Sequence, residues 1–539
     1  MLILTADRGR LTGSVSGQGS AVDFGGMDMQ FLKDRFDYLF RSTRGLTLVA
    51  IAVVSLITAI FGTLSGPMVE WGIRDVVVRL LKMELVPAAR EGRIIMLYHT
   101  IAMTIVAIEV YFITELVPMK RHEQTMINGT ITVGYLISVI FGMAFAYWGR
   151  NFAFHGLFLL GQSLVFFAGI LLAVALAPWK KEYRLPTDSP FARTKSGLDL
   201  ERVAFFVMAV STLLSAAFGA VSGSYWSNGH ETFLAEDLIR NPFKTYLQKA
   251  IIGHLHIMLT LIAIAITLIV GRWLKFQGTL HRIAMPLMIL GTVIITAGAL
   301  SVVWVEAAHT IIYVGSVFVM LAALFFVIYS WGMLIREGTA GIEKPTFGQK
   351  IKALLRDPIK FGPGWQMVFM NFTVSGVGIF MAVKLTEIFR VWPHREERII
   401  LTGHWHILAS LIATIILFYF ADLSGLKGKA RKWFGWTIII MSNLAFASVT
   451  IFSMKRLFAT EAEQQNIVNW TMLLTDIGLA TVLVVLAIFM VWRLIDLFKA
   501  KGWWTQEYKS ELKKSAETEI QEQKRKLKEL EETLKEVEK

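Results

Sequence analysis

Five histidines in this chain stand where membrane-length apolar stretches begin. His99 lies in RIIMLYHTIAMTIVAI, His254 and His256 in KAIIGHLHIMLTLIAI, and His404 and His406 in RIILTGHWHILASLIAT. Imidazole is costly in hydrocarbon unless something binds it. Imidazoles brought to one membrane depth three times over are what is needed to grip a flat cofactor between helices, and haem is the one expected. Residues two apart on a helix point about 200° from each other, so an HxH pair offers its imidazoles to two neighbouring clefts. His404 and His406 are therefore expected to serve two different haems. His99 would complete one axial pair, and the His254 and His256 pair the other.

The elements that must position these side chains form an internal repeat. The central imidazoles His99, His254 and His404 are 155 and then 150 residues apart. Each stretch follows another apolar segment ending in a related signature: FGTLSG (Phe61 to Gly66), FGAVSG (Phe218 to Gly223) and FTVSG (Phe372 to Gly376). The repeated unit is thus a pair of elements at least. Apolar runs of roughly 20 residues fall near 45–66, 96–118, 129–148, 154–177, 202–222, 249–271, 282–304, 310–335, 366–388, 400–421, 434–454 and 470–495. The expected fold is an all-α polytopic membrane protein of about twelve spans in three pseudo-repeats of four, over 45–177, 202–335 and 366–495. A lone span satisfies its backbone in lipid only as a helix. Residues 1–44 read as an N-terminal arm, 45–500 as the membrane domain and 501–539 as a C-terminal helix.

Composition agrees. Of the 539 residues 55% are hydrophobic and 18% charged, and the mean hydropathy is +0.55, which excludes a soluble protein. The net charge of +13 resides largely in alternate loops, at Lys120, Arg121, Lys180, Lys181, Arg184, Arg272, Lys275, Lys350, Lys352, Arg356, Lys427, Lys429, Arg431 and Lys432. That asymmetry orients the chain and does not suggest nucleic acid. Both termini are expected on the cytoplasmic side of a prokaryotic inner membrane, with the five histidines in the outer leaflet half. The chain contains no cysteine, which removes thiolate-held clusters and thioether-linked haem and leaves b-type haem as the simplest case. No cleavable signal is visible, and Met27 or Met29 is a candidate true start. In the tail, Ile520, Leu527 and Leu534 alternate with Gln523, Leu530 and Val537 in a heptad pattern, so a coiled-coil oligomer and a lone solvated helix are both open.

Other polar positions carry weaker signals. Arg93, Lys249 and Arg398 precede the histidines by a turn or two and suit pairing with haem propionates, or anchoring at the interface. Glu109 and Asp476 lie within spans and read as proton carriers or as protonated hydrogen-bonding groups. His155 and His281 read as interfacial.

On these residues the chain resembles subunit I of the haem-copper oxidase superfamily. YHTIAMTIVAIEVYFITELVP in span two and GHWH opening span ten carry the resemblance, with NFTVSGVGIF at Asn371 to Phe380 and YVGSVF at Tyr313 to Phe318. The wording is closest to the nitric oxide reductase and C-type oxidase branches. The resemblance implies that His99 and His406 ligate a low-spin haem and that His404 is the proximal ligand of a second. It also implies a copper or non-haem iron beside the second haem, held by one histidine on span six and an adjacent pair on span seven. The chain has no HH dipeptide, and the expected place falls near Ala299 to Ser301. Thr260 stands where a tyrosine would be, while Glu306 and His309 are the candidate substitute ligands. Copper or non-haem iron is accordingly not expected.

A span-six imidazole, His254 or His256, would then take the sixth position of the second haem. A six-coordinate haem is closed to gases and passes electrons. Two haems are expected; a third, between spans two and six, is opposed by Ile101. The reading is a membrane-bound b-type haem protein transferring electrons in a respiratory chain. The alternatives are a divergent terminal reductase of O2 or NO and, third, a transporter. Membrane lipid and redox subunits are the expected partners. A cytochrome c or iron–sulfur protein would dock at the outer loops 67–95 and 223–248, or quinol would bind in the membrane.

Overall fold

The computed structural model describes residues 29–65, 72–85, 90–149, 151–223, 246–305 and 307–537. Among them the chain is helical, apart from turns, connecting segments and one isolated bridge between Arg193 and Asp199. In order the α-helices are α1 (Met29–Arg41), α2 (Thr43–Ser65), α3 (Ile73–Leu80), α4 (Arg90–Leu116), α5 (Arg121–Tyr147) and α6 (Phe152–Leu176). Then follow α7 (Leu200–Gly223), α8 (Tyr246–Trp273), α9 (Thr279–Ser301), α10 (Ala308–Gly338), α11 (Phe347–Leu354) and α12 (Pro358–Val368). The last are α13 (Gly376–Val383), α14 (His394–Leu423), α15 (Gly428–Met454), α16 (Glu461–Phe498) and α17 (Trp503–Val537). Two π-helical segments, Phe369–Ser375 and Leu385–Phe389, flank α13.

Eleven helices over the described residues are long and apolar enough to cross a membrane, the architecture of a polytopic helical membrane protein. They are α2, α4, α5, α6, α7, α9, α10, the continuous α12–α13 rod, α14, α15 and α16. The remaining expected span is α8, whose apolar part among those residues is Ile257–Trp273. Several helices extend past the apolar runs because polar ends cap them. Asn151 Oδ1 accepts from Phe154 N at the start of α6, and Asp357 Oδ1 from Ile359 N at the start of α12. Thr460 and Glu463 close a reciprocal capping box on α16.

The three histidine-bearing helices pack on one another. Trp273 of α8 lies 4.9 Å from Tyr419 of α14 and donates to Asp422 at the end of that helix. Phe112 of α4 meets the same Tyr419 edge-on at 4.5 Å, and α4 also packs along α8. Around this triangle, three helix pairs approach backbone to backbone. A Cβ on Gly161 of α6 would stand 2.5 Å from Ser138 N of α5, and one on Gly478 of α16 would stand 2.6 Å from Met441 O of α15. α9 and α10 meet at Gly291 and Gly315. Lipid gives helices no hydrophobic reason to associate, so such small-residue contacts and interhelical hydrogen bonds must hold them together. Leu473, Ile477, Val484, Ile488 and Val491 of α16 are exposed, as an outer helix facing lipid requires.

At the end of the bundle that carries α1 and the start of α17, each of the three helix groups is closed by charge. Arg44 at the start of α2 pairs with Glu115 near the end of α4 at 3.5 Å. Glu201 at the start of α7 pairs with Arg272 near the end of α8 at 2.6 Å. Asp357 before α12 and Asp422 in α14 share Arg431 of α15, at 2.8 and 2.6 Å. Several basic residues that marked this end in the sequence therefore neutralise buried or half-buried acids.

The N-terminal arm and the tail are less independent than their sequences suggest. α1 and the start of α17 dock together on this end around Arg493 of α16, which is 1% exposed. Arg493 donates to Glu507 Oε2 at 2.7 Å and to Tyr38 Oη at 2.9 Å, and Tyr38 donates to Glu507 at 2.6 Å. Burial, with the Glu507 carboxylate beside it, holds the Tyr38 phenol well above its usual pKa, so it stays a donor. Asp496 caps α17 by accepting from Trp503 N and Trp504 N. Beyond this anchor Leu512, Ile520, Leu527, Leu530 and Leu534 are exposed. Replacing Arg493 with Met strands buried carboxylates, a loss of about 3 to 5 kcal/mol. The variant is expected to release residues 503–539 to limited proteolysis in detergent; cleavage no faster than in the parent protein would show that this cluster does not hold the tail.

Candidate functional site

The site lies at the opposite end of the triangle, about three turns into α4, α8 and α14. His99 is half-buried. Its Nδ1 is 2.9 Å from the Ile95 carbonyl oxygen one turn earlier. A carbonyl only accepts, so Nδ1 carries the proton. His254 of α8 is held in the same state by its neighbour: its Nδ1 is 2.9 Å from the Ser215 carbonyl oxygen of α7, with Ser215 Oγ at 3.5 Å. In both rings Nε2 is left with its lone pair, the form that ligates a metal. Neither Nε2 has a hydrogen-bond partner among the described residues. The two rings lie beside each other at the α4–α8 contact, with centroids 6.3 Å apart and planes within 7° of parallel. Phe158 of α6 stands edge-on to His99 at 6.4 Å.

His404 of α14 is also half-buried, and its ring lies against Gly378 of α13. A Cβ there would come within 2.6 Å of His404 Cε1, just as one on Gly219 of α7 would come within 2.7 Å of His254 Cε1. Both imidazoles occupy space that only glycine leaves. The signature FGAVSG thus has a direct role through Gly219. Its counterpart Gly62 in FGTLSG has nothing within 4 Å of such a Cβ among the described residues, so no imidazole rests on it there. The π-helical segment Phe369–Ser375 leads into α13. Local π turns re-aim the following side chains, and this one precedes the glycine against which His404 rests.

His406 is exposed, and its Nε2 is 2.8 Å from Tyr98 Oη, the rings 5.7 Å apart. Tyr98 and His99 are consecutive on α4 and point about 100° apart, one towards α14 and one towards α8. The structure therefore brings His99 to His254 and gives His406 a tyrosine, where the resemblance implied a His99–His406 pair. Tyr98 was not singled out in the sequence; its only signal there is adjacency to His99. The side chain of His256 lies outside the described residues.

The remaining candidates separate. Lys249 stands five residues before His254 and donates to the Val303 carbonyl at 3.4 Å. Arg93 is half-buried and interacts electrostatically with Tyr147. The Arg398 side chain and residue Glu306 are outside the described residues. His309 is exposed on the first turn of α10. Glu109 is 4% exposed inside α4, whereas Asp476 is exposed on α16. His155 and His281 are buried in the first turns of α6 and α9. His281 Nδ1 accepts from Ala192 N, because the 177–199 connection folds back over the end of α9 and covers it. A cavity of about 310 Å³ beneath that connection, lined by Arg193, Lys195 and Arg282 among others, includes none of the five histidines.

The pair of metal-ready imidazoles fits haem better than a bare ion. A bare ion needs four or more ligands, and no group of three or more histidine, cysteine, aspartate or glutamate side chains suited to a metal occurs among the described residues. A porphyrin brings four nitrogens of its own and needs only two trans ligands. Neither the models of known protein families nor the curated proteins compared with this chain give a match.

Proposed function

We propose that this chain is a membrane-embedded protein that holds b-type haem through the imidazoles at one end of its helix triangle and passes electrons through it. The observation that carries the reading is the state of His99 and His254: Nδ1 donated to a backbone carbonyl, Nε2 uncommitted, in a cysteine-free apolar interior. Bound haem would supply a reversible one-electron couple. The chain's own part is to fix the imidazole tautomer, exclude water and set the local dielectric. The carbonyl bonds at Ile95 and Ser215 fix which ring nitrogen carries the proton and hold each ring in place. Arg93, about 9 Å before His99 along the helix, and Lys249 are the cations placed to balance propionates.

The three-fold internal repeat belongs to the same reading. Ion-pair closure at one end, glycine-mediated pairing of the outer helices and an imidazole on each inner helix all occur three times, and the first two groups carry Arg44–Glu115 and Glu201–Arg272 with the signs exchanged. Positively charged loops assign the terminal end to the cytoplasm and the histidines to the outer leaflet. A respiratory electron carrier of the haem-copper oxidase type, with partner subunits, accords with these features.

The test is the spectrum and haem content of the protein purified from haem-replete membranes. A low-spin b-type spectrum that is reduced by dithionite is expected; a preparation that is folded and free of haem would overturn the reading. Gly378→Val drives a side chain into His404. It is expected to lose one haem equivalent per chain while keeping the others, as measured by pyridine haemochrome against protein; undiminished haem content would remove His404 from the ligand set.

A further inference from the structure

We propose that His99 and His254 are the two axial ligands of a single haem iron lying between α4 and α8. The proposal rests on the haem reading above and names a site that the resemblance does not contain, since that family pattern joins His99 to span ten. It also reverses the expectation that Ile101 closes this cleft. A second HxH histidine at that position is unnecessary, because His99 itself faces His254.

The geometry carries the argument. Two imidazoles bound on opposite sides of one ion have centroids separated by two metal–nitrogen bonds of about 2.0 Å each and half a ring at either end, roughly 6 Å or a little more in all. The observed separation is 6.3 Å, and the ring planes are within 7° of parallel. Each ring is locked by a different device. His99 is held by its own helix at Ile95, and His254 by the neighbouring helix at Ser215. Both locks use Nδ1, leaving Nε2 on each ring for a shared ion. Gly219 lets the His254 ring sit against α7, where any larger residue would displace it. The alternative partner, His406, has its Nε2 bonded to Tyr98. A porphyrin, which brings four nitrogens of its own, suits a site with two ligands and no third donor among the described residues.

The experiment compares His99→Ala, His254→Ala and the double variant in the purified full-length chain. The readouts are haem per chain, low-spin EPR signal and carbon monoxide binding after reduction. If the two residues share one iron, each single variant loses the same low-spin signal. It leaves either a five-coordinate haem that binds carbon monoxide or one haem fewer, and the double variant loses no more than one haem. His254→Gly supplied with free imidazole should regain the six-coordinate spectrum, which separates a missing ligand from a misfolded chain. Loss of two haems in the double variant, or an unchanged EPR signal in His254→Ala, would overturn the shared iron while leaving the haem reading intact. A parent protein without haem would instead remove the reading on which the proposal rests.

Discussion

A histidine inside an apolar helix has two nitrogens to satisfy, and backbone hydrogen bonding within that helix leaves only limited means of doing so. Placing the proton on Nδ1 and giving it to a carbonyl settles one nitrogen without using a charge. His99 does this within α4, and His254 does it by reaching α7. The second nitrogen then has no hydrogen-bond partner among the described residues. That leftover valence makes the histidine end more than a packing arrangement. The glycines at 219 and 378 follow from it, because the rings need space against the neighbouring helix.

The opposite end supplies the rigidity. In each group an ion pair joins the first helix to the end of the second, or to the start of the third. A buried ion pair is a poor source of net stability but a strong source of register, since any other alignment leaves a charge unpaired in a low dielectric. Fixing α4, α8 and α14 at their far ends restricts rotation about their axes. Rotation is what would move an imidazole from one cleft to another: a turn of about 100° exchanges the directions of two adjacent side chains. Separation of the two kinds of chemistry is therefore purposeful in physical terms. The ion pairs sit at the end that carries α1 and the start of α17, and the imidazoles of His99, His254 and His404 sit at the other.

Much of this was legible in the sequence and some of it was not. Approximate span limits follow from apolar length, and the place of His99, His254 and His404 towards the starts of their helices follows from their recurrence near the starts of the apolar runs. The helical phase of an HxH pair is likewise a matter of geometry. Which neighbour each phase meets is not, because it depends on how the helices are rotated and arranged. That is why Tyr98, and not His99, faces His406. The docking of α1 and α17 through Arg493, Glu507 and Tyr38 spans more than 450 residues of sequence, and no local pattern foretells it. The covering of His281 by the 177–199 connection escaped for the same reason, and the π-helical run at Phe369–Ser375 has no compositional mark.

The arrangement on α4 bears on how several imidazole sites can share one small triangle. α8 and α14 each have an HxH pair, but α4 offers the adjacent residues Tyr98 and His99. Adjacent positions diverge by about 100° and positions two apart by about 200°. A helix at one corner of a triangle has its two neighbours separated by an angle nearer the former, so adjacent residues reach both. On α14 the two members of the HxH pair diverge, His406 reaching Tyr98 of α4 and His404 resting against Gly378 of α13. His254 and His404, each resting on a glycine of the preceding segment, are the members whose surroundings are defined by that contact. The tyrosine on α4 thus occupies one of the directions an imidazole would otherwise need. It leaves His99 free to serve α8 alone, and one residue of α4 distinguishes the two clefts that helix borders.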